Sequence, residues 1–361
     1  MIAMVDSVAL DPDRLRDLLV ALFKAAGCET VEARAVATHL VDADLTDHPS
    51  HGAGLTAVYV ANLRSGAARA DRRLERVPLA SELLLFDGGK GFGQSLGLQL
   101  VDEVLAKCSV AGSAVFGLRN VHHLGRIGDY GERLASAGHA SVIFVNTVSR
   151  PIVAPFGGAE ARMGTNPICI AVPRRGEDPV VLDFATSAIA VGKCRVALEK
   201  GKSIPPGVAL DALGSPTTDP QALYSQPQGA LRAMGGHKGS GLNLVCELLA
   251  ACIGGLTMPE ARPALGGVVN SMVGMCFSAA ALPEAYARIE SVLAYFLATR
   301  ADSTDGPVEL PGSPERAARA RLARSGVPMA AATWAGITKL AHELGVPAPN
   351  IDAVPRTDRE R

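Results

Sequence analysis

The sequence predicts a mixed α/β fold of non-Rossmann type. Three observations carry this: helical periodicity at both ends, short β-branched runs between them, and a glycine-rich turn that misses the dinucleotide fingerprint. At the start, Asp11-Pro12 reads as N-cap and first residue of a helix. Its apolar positions Leu15, Leu18, Leu19, Leu22 and Phe23 recur at helical spacing until Gly27. A second helix is predicted over Thr30 to Asp44. At the other end Ser313-Pro314-Glu315 opens a basic helix that Gly326 stops, and Ala331 to Leu344 carries Trp334, Ile337, Leu340 and Leu344 on one stripe. In the middle, Ser141 to Val145 and Val180 to Leu182 read as strands bounded by Gly, Pro and Asn. Residues 1–78 with 313–361 are therefore expected to form a helical subdomain and 79–312 a sheet domain, followed by a polar tail from Pro355 to Arg361.

The glycine-rich turn is a decoy. Leu83 to Phe86 followed by Gly88, Gly89, Gly91, Gly93 and Gly97 imitates a strand, phosphate turn and helix, but the order G-x-G-x-x-x-G departs from the fingerprint. No acidic residue is placed for a ribose after the next apolar segment near Leu118-Arg119-Asn120. A tight strand-to-helix turn is the expectation.

Composition narrows the function classes. The 361 residues are 48% hydrophobic, 20% charged and 4% aromatic, which describes a globular enzyme rather than a disordered chain. A formal net charge of -1 offers no field to draw in nucleic acid or anionic lipid. Seven dispersed cysteines without a C-x-x-C pair are read as reduced core residues. The first residues lack a basic export signal, and the most apolar stretch, Leu242 to Leu256, is interrupted by Asn243, Glu247 and Gly254-Gly255, short of the roughly 20 apolar residues that span a bilayer. A cytoplasmic protein without a membrane span is expected.

Four clusters have the residues for chemistry. In Asp44-Leu-Thr-Asp47-His48-Pro49-Ser50-His51-Gly52, at the end of a helix, His51 is a candidate general base, against a solvated turn or a metal held by Asp44, Asp47, His48 and His51. Asn120 to Gly128, between a strand and a helix, offers backbone amides and Arg126 to a pyrophosphate and one of His122 and His123 to a ribose or substrate, against a polar helix cap. Gly164 to Pro167 with Leu182 to Ser187 ends a strand on Asp183, which can orient a histidine or cap a helix. Gly235 to Gly241 opens a helix, Leu242 to Cys252, where Lys238 makes an anion seat, against simple close packing.

In this order the clusters resemble the type 2 malate/L-lactate dehydrogenase family, which also contains sulfolactate, ureidoglycolate and cyclic-imine-acid reductases. The similarity runs from about Leu15 to about Val346 through Ser50-His51-Gly52, Asn120 to Gly125, Gly164 to Pro167, Leu182 to Ser187, Ile204-Pro205, Gly214 to Pro220, Gly235 to Leu242 and Pro311-Gly312. The resemblance implies a non-Rossmann NAD(P)-binding fold with a largely antiparallel central sheet, terminal helices beside it, and a homodimer whose active site draws on both subunits. It implies NAD or NADP as cofactor and a small 2-oxo or 2-hydroxy acid as substrate. It assigns acid/base chemistry to His51, assisted by Ser50 and Asp183. It assigns the nucleotide to His123, Leu124, Gly125, Arg126, Asn146, Thr147, Phe184, Ala185, Lys238, Pro311 and Gly312.

One position departs from the family. Many members carry an arginine four residues after the catalytic histidine to clamp the substrate carboxylate, and here that residue is Leu55. Losing a charge-assisted contact forfeits about 1.5 to 3 kcal/mol, so either carboxylate recognition comes from elsewhere, with Arg162 and Arg126 as candidates, or the substrate differs; Arg162, His123 and Thr165 are the residues expected at the substrate. The string from His48 to Gly54 resembles a hydroxycarboxylate dehydrogenase branch that also lacks the arginine, which favours bulkier 2-oxo acids over malate. The expected reaction is hydride delivery to a carbonyl carbon while His51 protonates the oxygen. The rivals are a metal-dependent hydrolase or lyase, a cyclic-imine-acid reductase of the same family, and a catalytically idle relative that binds nucleotide.

Overall fold

The computed structural model describes residues 7–199, 201–261, 267–301 and 306–348. Asp6 and the tail predicted from Pro355 lie outside them. The described residues fall into two compact units, one within Met1–Asp71 and Pro314–Arg361, the other within Arg72–Ser313.

The first unit opens with β1 (Ser7–Leu10) and α1 (Pro12–Ala25). Asp11 accepts the amides of Asp13 and Arg14, which would otherwise lack partners at the helix start, and Leu15, Leu18, Leu19, Leu22 and Phe23 form the buried stripe that the periodicity predicts. Then come α2 (Thr30–Leu45) and α3 (Thr56–Ser65), which ends on Gly66 in the left-handed conformation.

In the second unit the chain runs through β2 (Glu75–Arg76), β3 (Leu84–Asp87), α4 (Gly93–Ala111), β4 (Ser113–His122), α5 (Gly128–Ser136), β5 (His139–Val148), β6 (Pro167–Val172), β7 (Val180–Ala185) and α6 (Val191–Glu199). It continues with β8 (Ala209–Leu210), β9 (Pro216–Thr217), β10 (Ala230–Leu231), α7 (His237–Cys252), β11 (Val269–Ser278) and α8 (Ala285–Leu297). It returns to the first unit with α9 (Ser313–Ser325), β12 (Val327–Ala330) and α10 (Ala331–Glu343).

Helices do frame both ends, but β1 and β12 pair antiparallel between them. The segment Val-Pro-Met-Ala is too short, and too interrupted by proline, to announce a strand. On α10, Ile337, Leu340 and Ala341 are buried, while Trp334 and Leu344 are half-buried.

The central sheet has the order β2-β3-β4-β11-β5-β6-β7, and every neighbouring pair but β3 and β4 is antiparallel. One face carries the core. Phe116, Leu118, Ile143, Val145, Cys169, Ala171, Met272 and Cys276 pack there against Leu96, Leu100 and Val104 of α4 and Tyr130 and Leu134 of α5. α7 packs against β5, β6 and β11 and buries Asn243, Cys246, Glu247 and Ala250. A smaller core of Ile152, Val153, Cys194, Ile204, Leu223 and Leu231 lies around the three-stranded sheet β10-β8-β9. Six of the seven cysteines are buried as expected, but Cys252, at the last turn of α7, is exposed.

The glycine-rich decoy is the turn joining β3 to α4, and its main chain lies along the end of β4. Gly88 and Lys90 donate their amides to the carbonyls of Arg119 and Asn120 at 2.9 and 2.7 Å, and Gly91 accepts from His122 at 2.9 Å. Its glycines let the turn lie this close to β4. An added Cβ on Gly93 would sit 2.6 Å from the carbonyl oxygens of both His122 and His123. Gly93→Ala is therefore expected to destabilise the fold by about 1 to 3 kcal/mol. Gly336→Ala, inside α10 where a Cβ meets nothing within 4 Å, is expected to stabilise it by about 0.5 to 1 kcal/mol. Urea unfolding of the two variants checks both signs.

Candidate functional site

The histidine turn belongs to the first unit. After α2 the chain reverses under local hydrogen bonds: Thr46 Oγ1 donates to the carbonyls of Asp42 and Ala43, and the His48 amide donates to Ala43 at 2.8 Å. Pro49–His51 then forms a single tight helical turn, closed by His51 and Gly52 amides donating to the carbonyls of His48 and Pro49. On this turn Ser50 Oγ and His51 Nδ1 stand 3.1 Å apart, both side chains half-buried. Leu55, at the position of the missing arginine, is half-buried in the next turn, Ala53–Leu55.

Beneath the turn lies Asp44, only 7% exposed. Its carboxylate accepts the Ala53 amide at 2.8 Å and presses so closely on Gly52 that an added Cβ there would fall 1.8 Å from Oδ1. Burial pushes the Asp44 carboxyl up to about 7, against the opposing pull of the Ala53 hydrogen bond. The metal alternative finds no geometry here. Asp44 points at main chain, His48 Nδ1 lies 2.7 Å from the Thr46 carbonyl, and Asp47 is exposed. Among the described residues no group of three or more His, Cys, Asp or Glu side chains is placed to hold a metal ion.

The remaining predicted residues belong to the sheet unit. Asp183 does not cap the helix that follows it. It lies within β7, opposite Cys169 of β6, and accepts the Gly128 amide at the start of α5 at 2.7 Å. Arg126 is buried beside it, with Nη1 3.5 Å from Glu132 Oε2, and a Cβ on Gly128 would touch both the Asp183 carboxylate and the Arg126 guanidinium. Arg126 is thus a buried cation among carboxylates rather than an open anion clamp.

Asn120 to His122 form the end of β4 itself. His122 is buried edge-on against Phe92, and burial lowers its pKa to about 4, so it is neutral; His123 is the half-buried member of the pair. Leu124 and Gly125 are buried. The Asn146 amide donates to the Leu256 carbonyl at 2.8 Å and accepts from Ser271 at 2.9 Å, so its side chain is engaged by main chain, while Thr147 is half-buried. Phe184 and Ala185 end β7 half-buried, and Thr165 accepts through its carbonyl from both the amide and hydroxyl of Thr186. Pro311 accepts the Val181 amide at 3.1 Å, which lays Pro311-Gly312 along the start of β7. Arg162 is exposed and paired with Glu160. Helix α7 starts at His237, five residues ahead of the predicted Leu242, because the glycines at 239 and 241 are helical. Lys238 is consequently an exposed cation on its first turn.

Sequence reasoning gave no role to the buried polar side chains that join these segments: Asn270 on β11, Asn166 before β6, and Asn243 with Glu247 on α7. A signal was present. Asn243 and Glu247 are four apart in an apolar helix, a spacing that puts both on one face, and both are buried, where a polar group needs a partner. Burial raises the Glu247 carboxyl above the ordinary range, against hydrogen bonds from the Met258 amide, Asn166 and Asn146.

Comparison with known proteins shows the family and the fold. Residues 10–338 match the family described as malate/L-lactate dehydrogenase. Hydroxycarboxylate dehydrogenase B of Escherichia coli (strain K12) is 35% identical over 348 residues, covering 95% of this chain and 96% of that protein. An L-lactate dehydrogenase of Cupriavidus necator is 38% identical over 320 residues, covering 87% and 91%. The crystal structure of a dehydrogenase from Sinorhizobium meliloti superposes with a TM-score of 0.85 at 31% identity, covering 92% of this chain and 98% of that one.

Asp44 sets a pH dependence. Its folded pKa is raised, so folding favours the protonated carboxyl; this stabilisation is fully present below the unfolded value near 4 and is lost as pH rises through about 7. Asp44→Asn keeps an oxygen for the Ala53 amide and cannot ionise. Its thermal midpoint relative to wild type is expected to move in the variant's favour between about pH 5 and about pH 8. A difference that stays constant over that range would show that Asp44 does not take up its proton there.

Proposed function

Because the chain belongs to the malate/L-lactate dehydrogenase family, we propose that it is an NAD(P)-dependent hydroxycarboxylate dehydrogenase in which His51 is the acid/base. The observation that carries this is the turn around His51, whose main chain is hydrogen-bonded on both sides and whose Nδ1 faces Ser50 Oγ at 3.1 Å. Proton transfer is assigned to Nε2. There the imidazole gives a proton to the carbonyl oxygen of a 2-oxo acid, or takes one from the hydroxyl of a 2-hydroxy acid. Ser50 sets the ring's orientation, and Asp183 is the second catalytic group.

The nicotinamide supplies or takes the hydride. The residues present fit such a nucleotide: Lys238 puts an exposed cation beside the amides of the first turn of α7, whose cap Gly236 contributes no side-chain bond, a donor set suited to a pyrophosphate. The half-buried His123, Thr147, Phe184, Ala185 and Pro311 are assigned to the rest of the nucleotide, with main chain of Leu124, Gly125, Asn146 and Gly312 shaping its bed and the buried Arg126 bracing it. Arg162, His123 and Thr165 are assigned to the acid. A nicotinamide-dependent reaction and the lack of any described helix long and apolar enough to cross a membrane fit work in the cytoplasm on a small molecule.

A homodimer is part of the proposal. The face of the sheet opposite the core presents a continuous apolar row, set by register across five strands: Val115, Met275, Val142, Ile170 and Leu182. Val115 is 53% exposed, Met275 50%, Ile170 37% and Leu182 40%. On α8, Val292, Tyr295, Phe296 and Leu297 are exposed as well. Apolar surface of this extent is characteristic of an interface, and a second copy of the chain is the occupant proposed.

Two experiments follow. With NADH or NADPH and a panel of 2-oxo acids and cyclic imine acids, the wild type is expected to turn over, and His51→Ala to lose about 10²- to 10⁴-fold in kcat while still binding nucleotide. Full activity of the variant would remove His51 from the chemistry; a wild type inert towards the whole panel would remove the activity. In light scattering the wild type is expected at twice the 37.3 kDa chain mass, and Ile170→Asp with Met275→Asp at the single mass. A wild type at the single mass would end the dimer proposal.

A further inference from the structure

Asn270 stands near the start of β11, with Val121 of β4 opposite it on one side and Thr147 of β5 on the other. Its side chain is 2% exposed. Oδ1 accepts the Leu124 amide at 2.9 Å, and Nδ2 donates to the Asn146 carbonyl at 2.7 Å and reaches Thr147 Oγ1 at 3.4 Å. One side-chain amide therefore ties the segment after β4 to the end of β5. Between Asn270 and Met272 the pairing of β11 with β4 shifts register, so the backbone ladder is broken where the side chain takes over.

The tie continues. The Thr147 amide donates to Asn166 Oδ1 at 2.8 Å, and Asn166 Nδ2 donates to the Asn243 carbonyl at 3.0 Å and to its Oδ1 at 3.1 Å. Asn243 Nδ2 in turn donates to the Gly164 carbonyl at 2.8 Å and to Thr186 Oγ1 at 2.9 Å. A buried chain of amides thus runs from Leu124 through Asn146-Thr147 to Gly164-Thr165 and the end of β7. These are the segments assigned above to the nucleotide and the acid.

We infer that Asn270 is a positioning residue for the nicotinamide nucleotide, holding the Leu124 and Asn146-Thr147 segments at a fixed separation before the nucleotide arrives. The chemistry requires an amide. One end must accept an N–H and the other must donate to a carbonyl, in opposite directions, within a site closed to water. A carboxylate of the same shape would set oxygen against the Asn146 carbonyl, and a shorter hydroxyl cannot span both partners. Nothing in this arrangement touches the reacting atoms, so it acts on binding rather than on the proton or hydride step.

The inference rests on the assignment of these segments to the nucleotide, and two measurements separate its failure from the failure of that assignment. Fluorescence titration of the full chain with NADH and with NADPH gives Kd. Asn270→Asp is expected to raise Kd at least about tenfold while kcat at saturating nucleotide changes by less than about threefold. Wild-type affinity in a variant that unfolds cooperatively would overturn the inference and leave the dehydrogenase assignment standing. A wild type that binds neither nucleotide would overturn both.

Should Asn270→Asp not fold, Asn270→Ser is judged by the same criterion. Hydrogen exchange on the wild type alone adds a test without any variant. The Leu124 amide is expected to be protected in the nucleotide-free protein, and exchange there at the rate of an open loop would overturn the inference.

Discussion

The sheet unit depends on β11 being hydrogen-bonded along both edges, to β4 on one side and β5 on the other. A strand placed there must have its main-chain groups satisfied by the ladder, because no water reaches them. Its side chains then divide the work. From Met272 onward they alternate between the α4/α5 core and the open face, as a strand with one covered face must. At its beginning, Val269, Asn270, Ser271 and Met272 are all buried; the Asn270 side chain bonds the main chain of Leu124 and Asn146, and the Ser271 amide donates to the Asn146 side chain.

That change of character along one strand places the candidate site. Where β11 is wholly enclosed and its pairing with β4 shifts register, the Asn270 side chain ties the segment after β4 to the end of β5. The same solution recurs in the helical unit, where Asp44 holds the main chain of the histidine turn from below and Gly52 leaves room for it. In both units a buried polar side chain fixes backbone that carries residues assigned to the ligands in the proposed function. Such supports gain rigidity from low local dielectric, and for that reason a replacement that removes one partner is costly.

Much of this was legible in the residues. The Asp11 cap, the stripe on α1, the helix pair at the far end and the failed glycine fingerprint are local signals, and each matches its element, the last with β3, α4 and the turn between them. The Ser-His-Gly turn could be picked out because histidine, serine and glycine are concentrated in a few residues. Two kinds of feature were not legible. Pairing across long separations, such as β1 with β12 or the insertion of β11 between β4 and β5, leaves no periodic trace in either partner. The buried amide of Asn270 left no such trace: nothing in its neighbours names the groups it bonds, and a side chain's partner is decided by the fold around it. The early start of α7 was missed for a third reason, since glycines that ordinarily punctuate a chain are here accommodated inside the helix.

The position of β11 in the chain also bears on how the protein is made. β4 and β5 are complete by residue 148, but the strand that joins them begins only at residue 269. During synthesis a ribosome must add more than a hundred further residues before the two edges are covered, a stage lasting about 5 to 25 seconds at typical elongation rates. Until then both edges are open to pairing with any extended segment nearby, another nascent copy included. The order of strands in space, set against their order in the chain, thus makes the late arrival of one segment the step at which a chaperone would have most to protect.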